Sequence, residues 1–300
     1  MTMTSNTAQH CGIICLIGEP NVGKSTLLNQ LMEQKLAIVT PKAQTTRRAV
    51  RGIFVEKQKQ LILVDTPGIF QPKKKLDRVM VEEAWQEAES ADAVLFLIDA
   101  QYGITAKLQP VMERLTTLKK PVIVVLNKVD RTHKPKLLEL AYQIQEILKP
   151  RHIFMVSART GDGVKDLLAH LLGLLPKGPW HYLDEAASDM PLREFAAEIT
   201  RESLLMQLQQ ELPYELMVET ENWQELPPPK KGKQPTIKIH QVITVARESH
   251  KKIVLGNKGE TIKAVGMKTR QQLEALLRAK IHLELFVKVD PNWQTKRERY

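Results

Sequence analysis

Cysteine is nearly absent. The 300-residue chain has 2, Cys11 and Cys15, both in the run "CGIICLIG". Two thiols on one apolar run make neither a disulfide framework nor a structural zinc site. They read as reduced core residues. Aromatic residues are few, at 5%. No apolar stretch approaches the roughly 18 residues that a membrane span requires. The opening "MTMTSNTAQH" lacks the basic start of a secretory signal, so a cytoplasmic chain is expected. Acidic residues are also outnumbered, 34 against 44 Lys and Arg, for a net charge of +10. That balance favours a polyanionic partner, a nucleic acid or an anionic membrane surface. The excess is concentrated: Lys230–Tyr300 holds about 17 basic against about 6 acidic residues, whereas His181–Pro229 is strongly acidic.

What is present is enough apolar material, 43% of the chain, for two domains. The first part alternates short apolar runs ("GIICLIG", "QLILVDT", "AVLFLIDA", "PVIVVLNKVD", "HIFMVSA") with helical patterns at Ser25–Gln34, Leu76–Ser90, Ala106–Thr117, Pro135–Leu148 and Val164–Leu174. Alternation of this kind predicts a doubly wound α/β domain, and "PVIVVLN" has the continuous apolarity of a strand covered on both faces. Domain boundaries are expected at 1–176 for this part, 177–191 for a Pro-, Gly- and acid-rich linker, and 192–300 for a smaller α+β domain. The last is read as a helix Leu192–Glu211, two alternating strands, helices from Lys251 to Ala279 and a final strand "IHLELFVKV". A Pro- and Lys-rich connection, "LPPPKKGKQP", separates its first two strands.

Gly18, Glu19, Pro20, Asn21, Val22, Gly23, Lys24 and Ser25 fit G-x-x-x-x-G-K-[ST], between a strand and a helix that continues through Thr26. Such a loop turns backbone N–H groups toward phosphates, and the helix adds its positive end. Lys24 is expected at the β- and γ-phosphates. The Ser25 hydroxyl is a hard oxygen for Mg²⁺. Asp65-Thr66-Pro67-Gly68 ends the next strand, placing Asp65 for a water-mediated contact to the ion and the Gly68 N–H near the γ-phosphate. Asn127-Lys128-Val129-Asp130 ends another. The Asp130 carboxylate can accept from N1–H and the 2-amino group of guanine, and adenine offers neither. Ser157, Ala158 and Arg159 supply support behind the base. The sensing switch is expected between Lys35 and Arg51, with Thr45 or Thr46 as an Mg²⁺ ligand. Lys42, Arg47, Arg48 and Arg51 are solvated charge or an RNA contact.

Near the other end, Gly256-Asn257-Lys258-Gly259 lies between Ile253 and Leu255 on one side and Ile262 on the other, with Lys251, Lys252, Lys263 and Lys268 interleaved. Gly-x-x-Gly alone carries little information. With these flanks it describes two helices meeting at a tetrad that admits a phosphate backbone, beside a narrow apolar groove for about four bases. Trp223, Trp293 and Tyr300 are candidates for stacking or, for the two tryptophans, packing.

The first motif set resembles that of the translation-factor-like GTPases, except that Ile69 stands where many carry the glutamine that orients water. Slow unaided turnover is therefore expected. The second resembles a type II KH domain. Together with "KAQTTRR", they make the chain similar to the Era-type ribosome-assembly GTPases, over about Gly12 to Trp293. The resemblance implies a P-loop NTPase fold followed by KH, and hydrolysis of GTP to GDP with Mg²⁺. It favours Thr46 over Thr45 and gives catalytic roles to Lys24, Thr46, Gly68 and Asn21, the last through a possible K⁺ ion. It implies single-stranded RNA at the 3′ end of 16S rRNA, the 30S subunit as partner, a monomer, and peripheral contact with the inner membrane. Two rival readings are a tRNA-modification GTPase, which needs a catalytic cysteine or further cofactor site that the sequence lacks, and a membrane-surface GTPase anchored by "KRERY".

Overall fold

The computed structural model describes residues 8–42, 44–72, 75–208, 215–228 and 234–293. The chain divides into two compact units, Met1–Asp189 and Met190–Tyr300.

In the first unit, β1 (His10–Gly18), α1 (Lys24–Leu31), β2 (Val50–Glu56), β3 (Lys59–Asp65), α2 (Lys75–Ser90), β4 (Ala93–Asp99), α3 (Gln109–Thr117), β5 (Val122–Asn127), α4 (Lys134–Leu148), β6 (His152–Met155) and α5 (Val164–Leu174) follow in order. They build a six-stranded sheet, β2-β3-β1-β4-β5-β6, in which only the β2/β3 pair is antiparallel. The apolar runs explain the centre. Leu61–Val64, Val94–Leu97 and Ile123–Leu126 are all fully buried, as strands sandwiched by helices must be. Their parallel direction brings Gly18, Asp65, Asp99 and Asn127 to one edge of the sheet, where ligands bind in such folds.

The edge strand β2 was not foreseen. "VRGIFVE" carries charges at both ends and is only half covered, so it lacks the dense apolar signal of its neighbours. Gly52 lets it lie close to α1: a Cβ there would approach Leu28 Cδ1 to 2.8 Å, so the Leu28 side chain would have to shift. Beyond α5 the chain returns across this edge. His10 and Lys177 form an isolated bridge, as do Gly52 and Ser188. Buried Gln60 fastens the return: its Oε1 accepts the N–H groups of His181 (2.8 Å) and Tyr182 (3.0 Å), and its Nε2 donates to the Tyr182 carbonyl (2.8 Å). Trp180 and Tyr182 pack over Cys11, Ile62 and Val64. Both cysteines are free and buried, as their number suggested. Burial raises the pKa of each thiol, which keeps both protonated.

The second unit comprises α6 (Leu192–Gln207), β7 (Leu216–Leu226), β8 (Thr236–Val245), α7 (Glu248–Leu255), α8 (Glu260–Leu277) and β9 (Lys280–Val289). This is the helix–strand–strand–helix–helix–strand order expected of it. The sheet order is β7-β8-β9, antiparallel then parallel, with a bulge between Thr220 and Asn222. Leu204, Leu216, Ile243, Val254, Val265 and Val287 form its core. A polar chain runs beside it: the Thr200 hydroxyl donates to Gln241 Oε1 (2.5 Å), whose Nε2 donates to Thr220 Oγ1 (3.1 Å). Trp293 is buried, so packing claims it. Trp223 is half-buried and its indole N–H donates to Glu225 Oε1. Tyr300, "KRERY", the end of the predicted first helix at 209–211 and residues 229–233 of the Pro/Lys connection lie outside the described residues. Among the described residues no helix is long and apolar enough to cross a membrane.

Candidate nucleotide pocket and nucleic-acid groove

The loop after β1 turns sharply at Asn21 (φ 62) and Gly23 (φ 103), and Gly23 caps α1. Only glycine fits at the cap, because a Cβ there would collide with the Asn127 carboxamide. Lys24 is buried and its ammonium donates to the carbonyls of Gly18 (3.1 Å) and Glu19 (3.0 Å). Burial pulls its pKa down to about 8, against the opposing field of Asp65.

Three oxygens converge beside it. Ser25 Oγ donates to Asp65 Oδ2 at 2.6 Å, Thr46 Oγ1 donates to the same oxygen at 3.2 Å, and the two hydroxyls are 3.0 Å apart. The other carboxylate oxygen, Asp65 Oδ1, is buried without a hydrogen-bond partner among the described residues. Burial pushes the Asp65 carboxyl up, while Lys24 and the two hydroxyl bonds hold it back. A set of hard oxygens with an unsatisfied buried carboxylate fits Mg²⁺, which would satisfy Asp65 and bear the charge of a bound phosphate. Thr46, not Thr45, stands in this cluster. Thr45 instead bonds Thr40 Oγ1 and the Lys42 carbonyl.

Gly68 lies against the phosphate loop, where a Cβ would come 2.7 Å from the Pro20 nitrogen. Thr66 Oγ1 donates to the Leu16 carbonyl and the Ile69 N–H to the Gly18 carbonyl. The Ile69 side chain is buried in the core. Asn21 Nδ2 donates to the Pro41 carbonyl (2.9 Å), joining loop to switch.

Asn127 ties both halves of the pocket together. Its Nδ2 donates to the Val22 carbonyl (2.7 Å) and its Oδ1 accepts the Ala158 N–H (3.0 Å). Lys128, in a left-handed conformation (φ 66), donates to the Asn21 carbonyl and to Asp99 Oδ2, both at 2.7 Å. Asp130 accepts from Ser157 Oγ (2.7 Å) and pairs with Arg159 (2.7 Å). The Ser157 bond, then Arg159, lowers its pKa and keeps it ionised. A carboxylate has about four lone-pair positions, so two remain for a purine edge.

The sequence missed several contributors. Asn29 sets the start of the switch by accepting the Leu36 and Ala37 N–H groups and donating to the Ala37 carbonyl. Asp99, on a strand end already recognised, could have been found as a partner for Lys128. Of the four basic switch residues, Arg47 is buried and Arg51 is ion-paired, so neither is solvated charge; Arg48 is exposed.

In the second unit, α7 ends at Gly256 (φ 75) and α8 starts after Gly259 (φ 83). A Cβ on Gly256 would clash with Thr261, whereas Gly259 faces open space. Lys258 and Asn257 are exposed at the apex. Lys252 and Lys263 are exposed on either side, Lys251 and Lys268 are half-buried, and Ile253 is 53% exposed. Leu255 and Ile262 pack partly against the core. A cavity of about 450 Å³ opens between α8 and the edge strand β9, with Ile262, Lys263, Met267, Arg270, His282 and Glu284 in its wall. The last four were not singled out from sequence. Lys263, Met267 and Arg270 follow at i, i+4 and i+7, a helix-face signal that was available.

A phosphate-loop switch unit followed by a single-strand-binding fold defines the class, and the family models agree. The "50S ribosome-binding GTPase" model matches residues 13–128, and the "KH domain" model matches residues 211–294. GTPase Era of Brucella suis is 49% identical over 99% of this chain and 94% of its own length. A crystal structure of Era in complex with MgGDPNP and nucleotides 1506–1542 of 16S ribosomal RNA covers 97% of each chain, with 38% identity and a TM-score of 0.89. An Aquifex aeolicus Era variant bound to GDP and AlF4⁻ also covers 97% of each, with 37% identity and a TM-score of 0.88. The chain belongs to the Era family of GTPases.

Proposed function

We propose that this protein binds GTP with Mg²⁺ in the first unit and single-stranded RNA from the 3′ end of 16S rRNA in the second, and uses the nucleotide to time its stay on the maturing 30S subunit. The observation that carries the reading is the convergence of Ser25, Thr46 and Asp65. A switch threonine that contributes to the ion site can report whether a γ-phosphate is present. In this reading Lys24 and the loop N–H groups of Gly18–Ser25 bind phosphates, and Thr26 extends the helix behind them. Gly68 and Thr46 sense the γ-phosphate; Asn127, Lys128, Asp130 and Ser157–Arg159 hold guanine. Lys251, Lys252, Ile253, Leu255, Gly256, Asn257, Lys258, Gly259, Ile262 and Lys263 form the RNA-binding surface of residues 192–300.

The relative with bound 16S nucleotides supports the choice of RNA, since it matches this chain over nearly its full length. By linkage, if RNA favours the GTP-bound form, GTP strengthens RNA binding by the same factor. Crosslinking in cells, followed by sequencing of the attached RNA, tests the partner. Reads concentrated at the 3′ end of 16S rRNA are expected; a scatter across tRNA would overturn it.

Asn21 supports a role for K⁺. Its amide nitrogen is engaged with Pro41, and its carboxamide oxygen accepts no hydrogen bond among the described residues. A monovalent cation held there would add positive charge beside the phosphates, where hydrolysis needs it. Equal hydrolysis rates in potassium and sodium would end that part. The basic charge of residues 230–300 also suits peripheral contact with an anionic inner membrane from the cytoplasmic side, which flotation with anionic vesicles would test.

A further inference from the structure

Arg51 is the second residue of β2, five positions after Thr46. Across the sheet, Val50 pairs with Asp65 and Arg51 with Val64, so β2 starts at the level of the ion cluster. Movement of Thr46 must therefore be absorbed within Arg47–Ala49 or passed into β2. Absorption is restricted. Arg47 is buried, Gln44 donates to Asp77 of α2, and the Ala49 N–H donates to Glu83 of the same helix at 3.0 Å.

Arg51 then contacts two further segments. Its Nη2 donates to Glu87 of α2 at 2.5 Å, and its Nη1 lies 3.6 Å from Asp189 Oδ2. Asp189 is the last residue of the first unit, and it also accepts from the Tyr182 hydroxyl at 3.4 Å. The backbone reinforces the junction, because the Ile53 N–H donates to the Ala187 carbonyl at 2.9 Å. Burial opposes the charge on Arg51, and the carboxylates of Glu87 and Asp189 more than offset it. The three side chains are about a third exposed or less, so their attraction is only partly screened.

One guanidinium thus holds three chain segments: the strand that leaves the switch, the helix that follows Gly68, and the segment that leads into the RNA-binding unit. A planar fork with five donors suits that task, and lysine could serve only one carboxylate well. We propose that Arg51 is a coupling residue, which transmits the nucleotide-dependent position of the switch to Asp189 and so to the segment entering the RNA-binding unit. The proposal rests on the linkage reading above. It assigns no catalytic step to Arg51, which touches neither the phosphate loop nor the base-reading residues in any contact described here.

The test uses the full chain and a single-stranded RNA oligonucleotide of the 16S 3′ sequence. Its affinity is measured with GDPNP·Mg²⁺ and with GDP·Mg²⁺, and the ratio of the two is the readout. Couplings of this kind typically span about 5- to 150-fold. For Asp189→Asn and for Arg51→Gln the ratio should fall below about twofold. GDP affinity without RNA should stay within about twofold of the parent, since neither residue lines the pocket. The double variant should lose no more than either single one. Arg51→Lys should retain less than half of the coupling. Thermal unfolding checks that each variant is folded, and Asp189→Asn serves if Arg51→Gln does not fold. A large parental ratio that both variants preserve would overturn the role of Arg51 and leave the linkage reading intact. A parental ratio near one would overturn both.

Discussion

The two candidate sites are built on opposite plans. Around the nucleotide pocket, Lys24, Asp65, Asn127 and Ser157 are buried, and each is held by hydrogen bonds to backbone or to another side chain. Around the glycine tetrad, Asn257, Lys258 and Lys263 are exposed, and their side chains make no hydrogen bond or ion pair among the described residues. A pocket that must distinguish one purine and one phosphate count needs its groups fixed in advance, because misplacement by an ångström forfeits much of the interaction. A groove for a flexible strand needs positive charge and an apolar floor, and can leave its side chains free to adapt. The first site should therefore respond sharply to single atoms, and the second mainly to backbone shape and ionic strength.

That contrast can be broken in four ways. The largest effect is expected from Asp130→Asn. Two charge-assisted hydrogen bonds to guanine are worth about 3–6 kcal/mol, so GTP affinity should fall by about 10²–10⁴-fold in a fluorescent-nucleotide competition. RNA affinity of the nucleotide-free protein should not change, and a parallel loss would show that the sites are not separately built. Next, Gly256→Asp combined with Gly259→Asp should weaken binding of a 16S 3′ oligonucleotide by about 100-fold or more, through repulsion of phosphates and a strained φ at both positions. GDP affinity is the control, and should stay as it was.

A smaller effect should follow pH. The ammonium of Lys24 titrates at about 8 in the free pocket, and a bound triphosphate must raise that value. The charged form is thus half-populated at about pH 8 and nearly complete only a unit or more below it. Above it, nucleotide affinity should decline by up to about tenfold per pH unit until the bound-state value is reached. Calorimetry at about pH 8.5 in two buffers of different ionisation enthalpy should reveal proton uptake on binding; none would mean that Lys24 is already fully charged. The smallest effect concerns salt. If about three lysines each contact a phosphate, RNA affinity should drop by roughly twentyfold between about 50 and 200 mM salt. A flat response would assign the affinity to the apolar wall rather than to charge.

The same contrast explains what could be read in advance. Lys24, Ser25, Asp65 and Asp130 were legible because few residue types could perform the task proposed for each, at loops where parallel strands must end. The resemblance favours Thr46 over Thr45, and the fold adds what the sequence could not: the Thr46 hydroxyl turns to Asp65 and the Thr45 hydroxyl to Thr40. Edge strand β2 escaped because its half-covered, charge-capped sequence resembles a loop. Arg51 was read from sequence as solvated charge or an RNA contact, because its pairing depends on Glu87 and Asp189, far away in the chain. The second candidate site was legible only in part. The tetrad glycines Gly256 and Gly259 were read from sequence, but Arg270, His282 and Glu284, in the wall of the neighbouring cavity, gain their setting from the packing of α8 beside β9.

Asn127 carries one last consequence. A single carboxamide grips the Val22 carbonyl with one end and the Ala158 N–H with the other. A displacement of the tip of β5 would therefore reach the phosphate loop and the segment at Ala158 together, since both hang from one side chain.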